Sequence, residues 1–142
     1  GGLSASLGAA DITEIEFITT SFDKSEGGTL QARVRFNEPV VVDTSGGTPH
    51  LAVTNGNQGS GSGRGPHNLT YASGTGTNEL VFSLTIGAAN AATNAGDILV
   101  IGANAIALNS GTIKDVATST TNATITNSSA IGTAAGSITV AA

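Results

Sequence analysis

A chain of 142 residues suits one domain, and a domain of this size buries enough surface to build a core without staples. It has no cysteine, which excludes disulfides and thiolate metal sites. Charged residues are 11% of the chain, against roughly 25% in ordinary globular proteins, and the net charge is −5, so the basic face and stacking aromatics of a nucleic-acid binder are missing. The fixed cations are Lys24, Arg33, Arg35, Arg64 and Lys114. No apolar run reaches the length of a membrane span, so no membrane insertion is expected. Thr, Ser, Asn and Gly must supply the polar surface. Thr favours half-exposed strands and the other three favour turns, so the composition reads all-β.

Residues 1–11, GGLSASLGAAD, show no period. They read either as a mobile tail or as an arm that docks Leu3 and Leu7 on a neighbouring subunit. From Ile12 the pattern changes. In ITEIEFI, Ile15 and Phe17 alternate with Glu14 and Glu16, which predicts a half-buried strand. Residues 23–28 form a turn. Leu30 to Phe36 alternate strictly, and a strand puts Leu30, Ala32, Val34 and Phe36 on one face. Pro39 is expected to break this ladder, since it has no N–H to give. Val40 to Val42 then read as a separate short buried strand.

His50 begins the next strand, with Leu51 and Val53 inward. Residues 54–66, TNGNQGSGSGRGP, are too rich in Gly, Ser and Asn to pack and predict a long exposed loop. Leu69 and Tyr71 share one strand face. After a Gly-rich turn, Leu80, Phe82, Leu84 and Ile86 repeat the alternation, which is a hairpin signature. The Ala-rich residues 88–96 predict a short helical turn ended by Gly96. Strand-like runs follow at 98–101, 106–108 and 112–115. Residues 117–130 are mostly Thr, Ser, Asn and Ala, and residues 137–140 read as the closing strand. Seven or more short strands with regular turn signals predict a sandwich, with a closed barrel as the competitor.

Few residues here suit catalysis. His50 and His67 are the two histidines, and a weak metal site would require both at one end of the sandwich. Glu14 and Glu16 share an outer strand face. Paired carboxylates can do acid/base work on sugars, but a charged edge that discourages aggregation needs the same pattern. Arg33 and Arg35 are their positive counterparts. On neighbouring strands the four would form cross-strand ion pairs, and otherwise the arginines offer a patch to an acidic partner. Calcium is the one cofactor to consider, and its candidate ligands are Asp23, Glu26, Glu38 and Asp43, although no D-x-D-x-D-G spacing is present. The glycine loop carrying Arg64 lacks the Lys-Ser/Thr and the following helix of a phosphate cradle. It reads as a flexible exposed loop instead, with Arg64 a candidate partner contact. No enzyme activity is expected.

Three segments, VRFNEPVVVDTSGGTPHLAV, LTYASGTGTNELVFSLTI and AIALNSGTIKD, occur in order between Val34 and Asp115, within a likeness that covers roughly residues 12–116. They resemble bacterial immunoglobulin-like repeats of very large surface adhesins. Those repeats usually continue beyond the Asp115 position with Gly-Asn and end in acidic linkers stiffened by calcium. Here Val116-Ala117-Thr118 follows, and the last residues are Val140-Ala141-Ala142. The stretch ANAATNAGDILVIGANAIALNSGTIKD and the tail NSSAIGTAAGSITVAA are similar to immunoglobulin-like virion proteins of tailed phages that infect marine cyanobacteria. The resemblance implies an immunoglobulin-like Greek-key β-sandwich of about seven to nine antiparallel strands over residues 12–142. It implies a non-enzymatic virion structural protein, a capsid decoration or other exterior subunit. Neighbouring virion proteins, in a homo-oligomer or capsid lattice, would contact Leu3, Leu7, Arg33, Arg35 and Arg64. The alternative is a single adhesin domain on a bacterial surface, binding host-surface carbohydrate or protein.

Overall fold

The computed structural model describes residues 9–56, 65–90, 92–118 and 120–142. Leu3, Leu7 and Arg64 therefore lie outside the described residues, as does most of the glycine loop. The fold is all-β. Ten strands and one short helix follow in the order β1 (Ile12–Phe17), β2 (Phe22–Asp23), β3 (Gly28–Asp43), β4 (His50–Asn55), β5 (His67–Ser73), β6 (Thr77–Ile86), β7 (Ile98–Val100), β8 (Ile106–Ala107), β9 (Thr112–Asp115), α1 (Ser129–Thr133) and β10 (Ser137–Ala141).

The strands form one curled hydrogen-bonded path, β1-β3-β6-β5-β4-β7-β10-β2, with β8 on β4 and β9 on β3. The expectation of seven to nine antiparallel strands needs correcting in two ways. Among the described residues there are ten, and β10 runs parallel to β2, with Val140 opposite Phe22 and Ala141 opposite Asp23. The short β2, β7 and β8 lie between loops and carry too few residues to show a period on their own.

Strict alternation became strand wherever it occurred. Leu30, Ala32, Val34 and Phe36 of β3 are all buried, and so are Leu80, Phe82 and Ile86 of β6. The two strands pair in register, with Leu30 opposite Leu84, Ala32 opposite Phe82 and Val34 opposite Leu80. Their inward side chains join Ile15, Phe17, Leu51, Val53, Leu69, Leu99, Ile101, Ile113 and Ile138 in one apolar cluster.

Pro39 does not end β3. The strand continues to Asp43, because its register with β6 slips between Arg35 and Val40, and beyond the slip it pairs with β9. A proline at such an irregularity removes no ladder bond that the strand needs. The Val40–Val42 run is also corrected: Val40 is buried, Val41 exposed and Val42 only partly buried, so alternation persists.

The described residues of the segment, 88–90 and 92–96, lie in turns and loop, not in the expected helical turn. The Asn90 side chain accepts the Ala92 N–H at 2.8 Å, which draws the backbone into a turn. Lys24 Nζ ties the same segment down by donating to the carbonyls of Asn90 at 2.9 Å and Thr93 at 2.7 Å. The helix lies elsewhere, in α1, where Ser128 caps it by accepting the Ile131 N–H. The fold also begins earlier than Ile12. Ala10 is buried, its N–H donates to Asp115 Oδ1 at 2.9 Å and its carbonyl accepts the Thr124 N–H at 2.7 Å.

Candidate functional site

The outer face of β1, β3 and β6 carries the densest charge. Register sets Glu14 opposite Arg35 and Glu16 opposite Arg33 across β1 and β3, and Glu79 opposite Arg35 across β3 and β6. Arg33 Nε lies 2.8 Å from Glu16 Oε1, and Arg33 Nη1 lies 3.9 Å from Glu79 Oε1. Arg35 Nη1 lies 3.2 Å from Glu14 Oε1, and Arg35 Nε donates to Glu79 Oε2 at 2.8 Å. The bond to Glu79 and its charge raise the Arg35 guanidinium above its ordinary value, with Glu14 and Glu16 adding smaller attractions.

The expected cross-strand ion pairs are therefore present, and Glu79 joins them from a third strand. Each arginine meets two carboxylates, so the two arginines are engaged by the chain's own groups. An acidic partner would meet three carboxylates against two guanidiniums, a patch with one net negative charge. Half-exposed pairs of this kind contribute little. Arg35→Gln should lower the urea unfolding midpoint only slightly, and the loss should shrink in about 1 M salt, where the screening length is about 3 Å.

The four calcium candidates are not brought together. Asp23 Oδ1 accepts from Ser25 Oγ at 2.6 Å and from Ser25 N at 2.7 Å, and Glu26 is exposed in the same turn. Asp43 Oδ1 accepts the Ser45 N–H at 2.8 Å at the far end of β3. Glu38 is buried at the slip between Arg35 and Val40. Among the described residues no three His, Asp or Glu are grouped to hold a metal ion.

The Ser25 hydroxyl, then its N–H, hold the Asp23 carboxyl below its ordinary 3.8. The Ser45 N–H, then its side chain, do the same for Asp43. A lowered folded value means stability that is present above the unfolded value and lost as pH falls through the folded one. The double variant Asp23→Asn, Asp43→Asn should therefore differ most from the parent at neutral pH. Chemical unfolding below about pH 4 should show the gap closing.

The two histidines lie at opposite ends of the β4–β5 ladder, His50 opposite Thr70 and His67 opposite Val53. Three residues of strand separate those ends, about 10 Å, so the two do not form the metal site considered from sequence. His67 is buried and enters a polar cluster instead. Asn55 Nδ2 lies 3.2 Å from His67 Nε2 and 3.1 Å from Asp97 Oδ2, and the Asn94 N–H donates to Asp97 Oδ2 at 2.8 Å. Asp97 and Asp115, which stand alone in sequence, are both buried and both accept backbone N–H groups. Tyr71 is half-buried, meets Phe82 edge-on at 6.2 Å and accepts the Thr75 N–H at 3.0 Å through its hydroxyl.

Sequence reasoning missed Glu79, Asp97 and Asn127. The last of these is buried and bonds five backbone or side-chain groups across two loops. A single polar residue set beside an apolar run, as Asp97 is beside Ile98-Leu99-Val100, was the available signal. An open cavity of about 350 Å³ is lined by Lys24, Ser25, Ala89, Asn94, Ala95 and Ala142. Among the described residues no helix is long and apolar enough to cross a membrane. No protein-family model matches the chain, and no curated protein or solved structure matches it.

Proposed function

We propose that this chain is a non-enzymatic structural module with an immunoglobulin-like Greek-key sandwich, carried on the exterior of a phage virion as a capsid decoration or other exterior subunit. The all-β path supports the sandwich reading. The resemblance of residues 89–115 and 127–142 to virion proteins supports the location. The observation that carries the non-enzymatic part is where the reactive side chains are used. His67 is bound into the Asn55–Asp97 cluster, Glu14 and Glu16 face arginines, and the Tyr71 hydroxyl and ring are both engaged. Such a module works through its surface, by contact with neighbouring virion proteins in a homo-oligomer or capsid lattice.

The alternative, one domain of a bacterial surface adhesin that binds carbohydrate or protein, draws on the three segments between Val34 and Asp115. One experiment separates the two. Gold-labelled antibody against this chain, applied to purified particles and to cells of the native source, should mark particle exteriors. Label confined to cell surfaces would overturn the virion reading in favour of the adhesin.

A further inference from the structure

The curled sheet has a narrow seam. From β1 to β5 the neighbours pair over three or more residues, whereas among the described residues β4 joins β7 through two register pairs, Thr54 with Val100 and Asn55 with Leu99. A bond from the Gly56 N–H to the Ile98 carbonyl at 3.0 Å extends that junction. Through it the β1-β3-β6-β5-β4 run passes into β7-β10-β2. The cluster of Asn55, His67 and Asp97 sits at this junction, with Asn55 on β4, His67 opening β5 and Asp97 immediately before β7.

The bonding dictates protonation. Asp97 as a carboxylate only accepts, so the Asn55 amide turns its nitrogen toward it. That nitrogen has two hydrogens. One serves Asp97 Oδ2 and the other points to His67 Nε2, which must then be the unprotonated ring nitrogen. A proton on Nε2 would face the amide N–H. Rotating the amide would satisfy the imidazolium but set Asn55 Oδ1 against Asp97 Oδ2. Both Asn55 amide bonds are made only with His67 neutral and Asp97 ionised. Asp97 would attract an imidazolium, yet the amide nitrogen bonds both groups, so Asn55 must be displaced before that attraction is realised. On the surrounding strands, β4 adds His50 at its far end and β5 adds Tyr71, while β7 and β10 carry no ionisable side chain.

We propose that Asp97, Asn55 and His67 form a proton-operated latch on the β4–β7 seam, closed while His67 is neutral and opened when Nε2 takes a proton, which loosens β7 and β10 from β4. Histidine is the side chain suited to such a change at mildly acidic pH.

Native-state hydrogen exchange by NMR on the full chain tests it, from about pH 7.5 to about pH 5, corrected for intrinsic exchange. Protection of β7 and β10 amides, relative to those of β3 and β6, should fall by up to about tenfold per pH unit. In His67→Gln the side-chain oxygen still accepts from Asn55 and has no proton to gain, so the relative fall should vanish. An equal response of all four strands in the parent, or an undiminished fall in His67→Gln, overturns the latch. If His67→Gln does not fold, the parent decides alone. Imidazole nitrogen shifts at about pH 7.5 should show Nε2 unprotonated. A protonated Nε2 there overturns the proposal.

Discussion

Phe82→Ala should lower the free energy of unfolding by about 3–5 kcal/mol, measured by urea denaturation at neutral pH. Phe82 is fully buried at the centre of β6. Its cross-strand neighbours are Ala32 on β3 and Tyr71 on β5. Ala32 is too small to fill the space that a lost ring would leave. Tyr71 is held in place by the Thr75 N–H on its hydroxyl, so it cannot slide inward without giving up that bond. The vacated volume would therefore persist as a cavity, and the edge-on contact at 6.2 Å would be lost with it. The chain has four Phe, one Tyr and no Trp, so aromatic packing is concentrated in few places. Against a total stability of about 5–15 kcal/mol, one such loss is a large share. Phe82→Leu keeps most of the apolar volume and should cost much less. A loss below about 1 kcal/mol for the alanine variant would show that the surroundings collapse into the gap.

The same residues show what a sequence can disclose. Alternation in Leu30–Phe36 and Leu80–Ile86 is a local signal, because a strand face repeats every second residue. It disclosed the strands, their inward faces and the outward position of Arg33 and Arg35. Which strand faces those arginines is a question of register. The match to Glu14 and Glu16 was legible because both pairs alternate two apart with opposite sign. Glu79 was not, since its place beside Arg35 depends on β6 pairing with β3 across a separation of 44 residues. Pro39 misled for a related reason: a missing N–H ends a strand only where the ladder needs it, and the slip at residues 35–40 removes that need. The described residues of the Ala-rich segment, 88–90 and 92–96, show how weak a prior helix propensity is, because one Asn90 side-chain bond and Lys24 hold them otherwise. The parallel pairing of β10 with β2 joins residues near opposite ends of the chain, and no local pattern carries it. Burial of Asp97, Asn127 and His67 was hidden most deeply. These residue types are usually exposed, and only the assembled loops supply the partners that make burial tolerable.

Asn127 is where that last point has the largest measurable consequence. The residue is 5% exposed, so water does not replace a lost partner. Asn127 Oδ1 accepts the Ala105 N–H at 3.0 Å, and Nδ2 donates to the carbonyls of Gly102 and Ser128 at 2.9 Å each. The backbone completes the bracket: Asn127 N–H donates to Asn104 Oδ1 at 3.3 Å, and Asn104 N–H donates to the Asn127 carbonyl at 3.0 Å. The segment after β7 is thereby tied to the residues that lead into α1. Gly132 of α1 lies so close to that segment that an added Cβ would stand 2.4 Å from the Gly102 carbonyl oxygen. Removing the Asn127 amide leaves the buried Ala105 N–H without its partner, at about 1–3 kcal/mol, and takes a donor from the part-buried Gly102 and Ser128 carbonyls. Asn127→Ala should therefore destabilise the fold by on the order of 3 kcal/mol in urea unfolding. Hydrogen exchange should show the loss first in α1 and the 102–105 segment, because those are what the side chain joins. Asn127→Asp discriminates bonding from size. It keeps an acceptor for Ala105 but sets a carboxylate oxygen against the Gly102 and Ser128 carbonyls, so at neutral pH it should cost at least as much as alanine. Protonation restores one donor, so the Asp variant should regain stability relative to alanine as pH falls below about 5. An Asp variant as stable as the parent at neutral pH would show that the side chain only fills space.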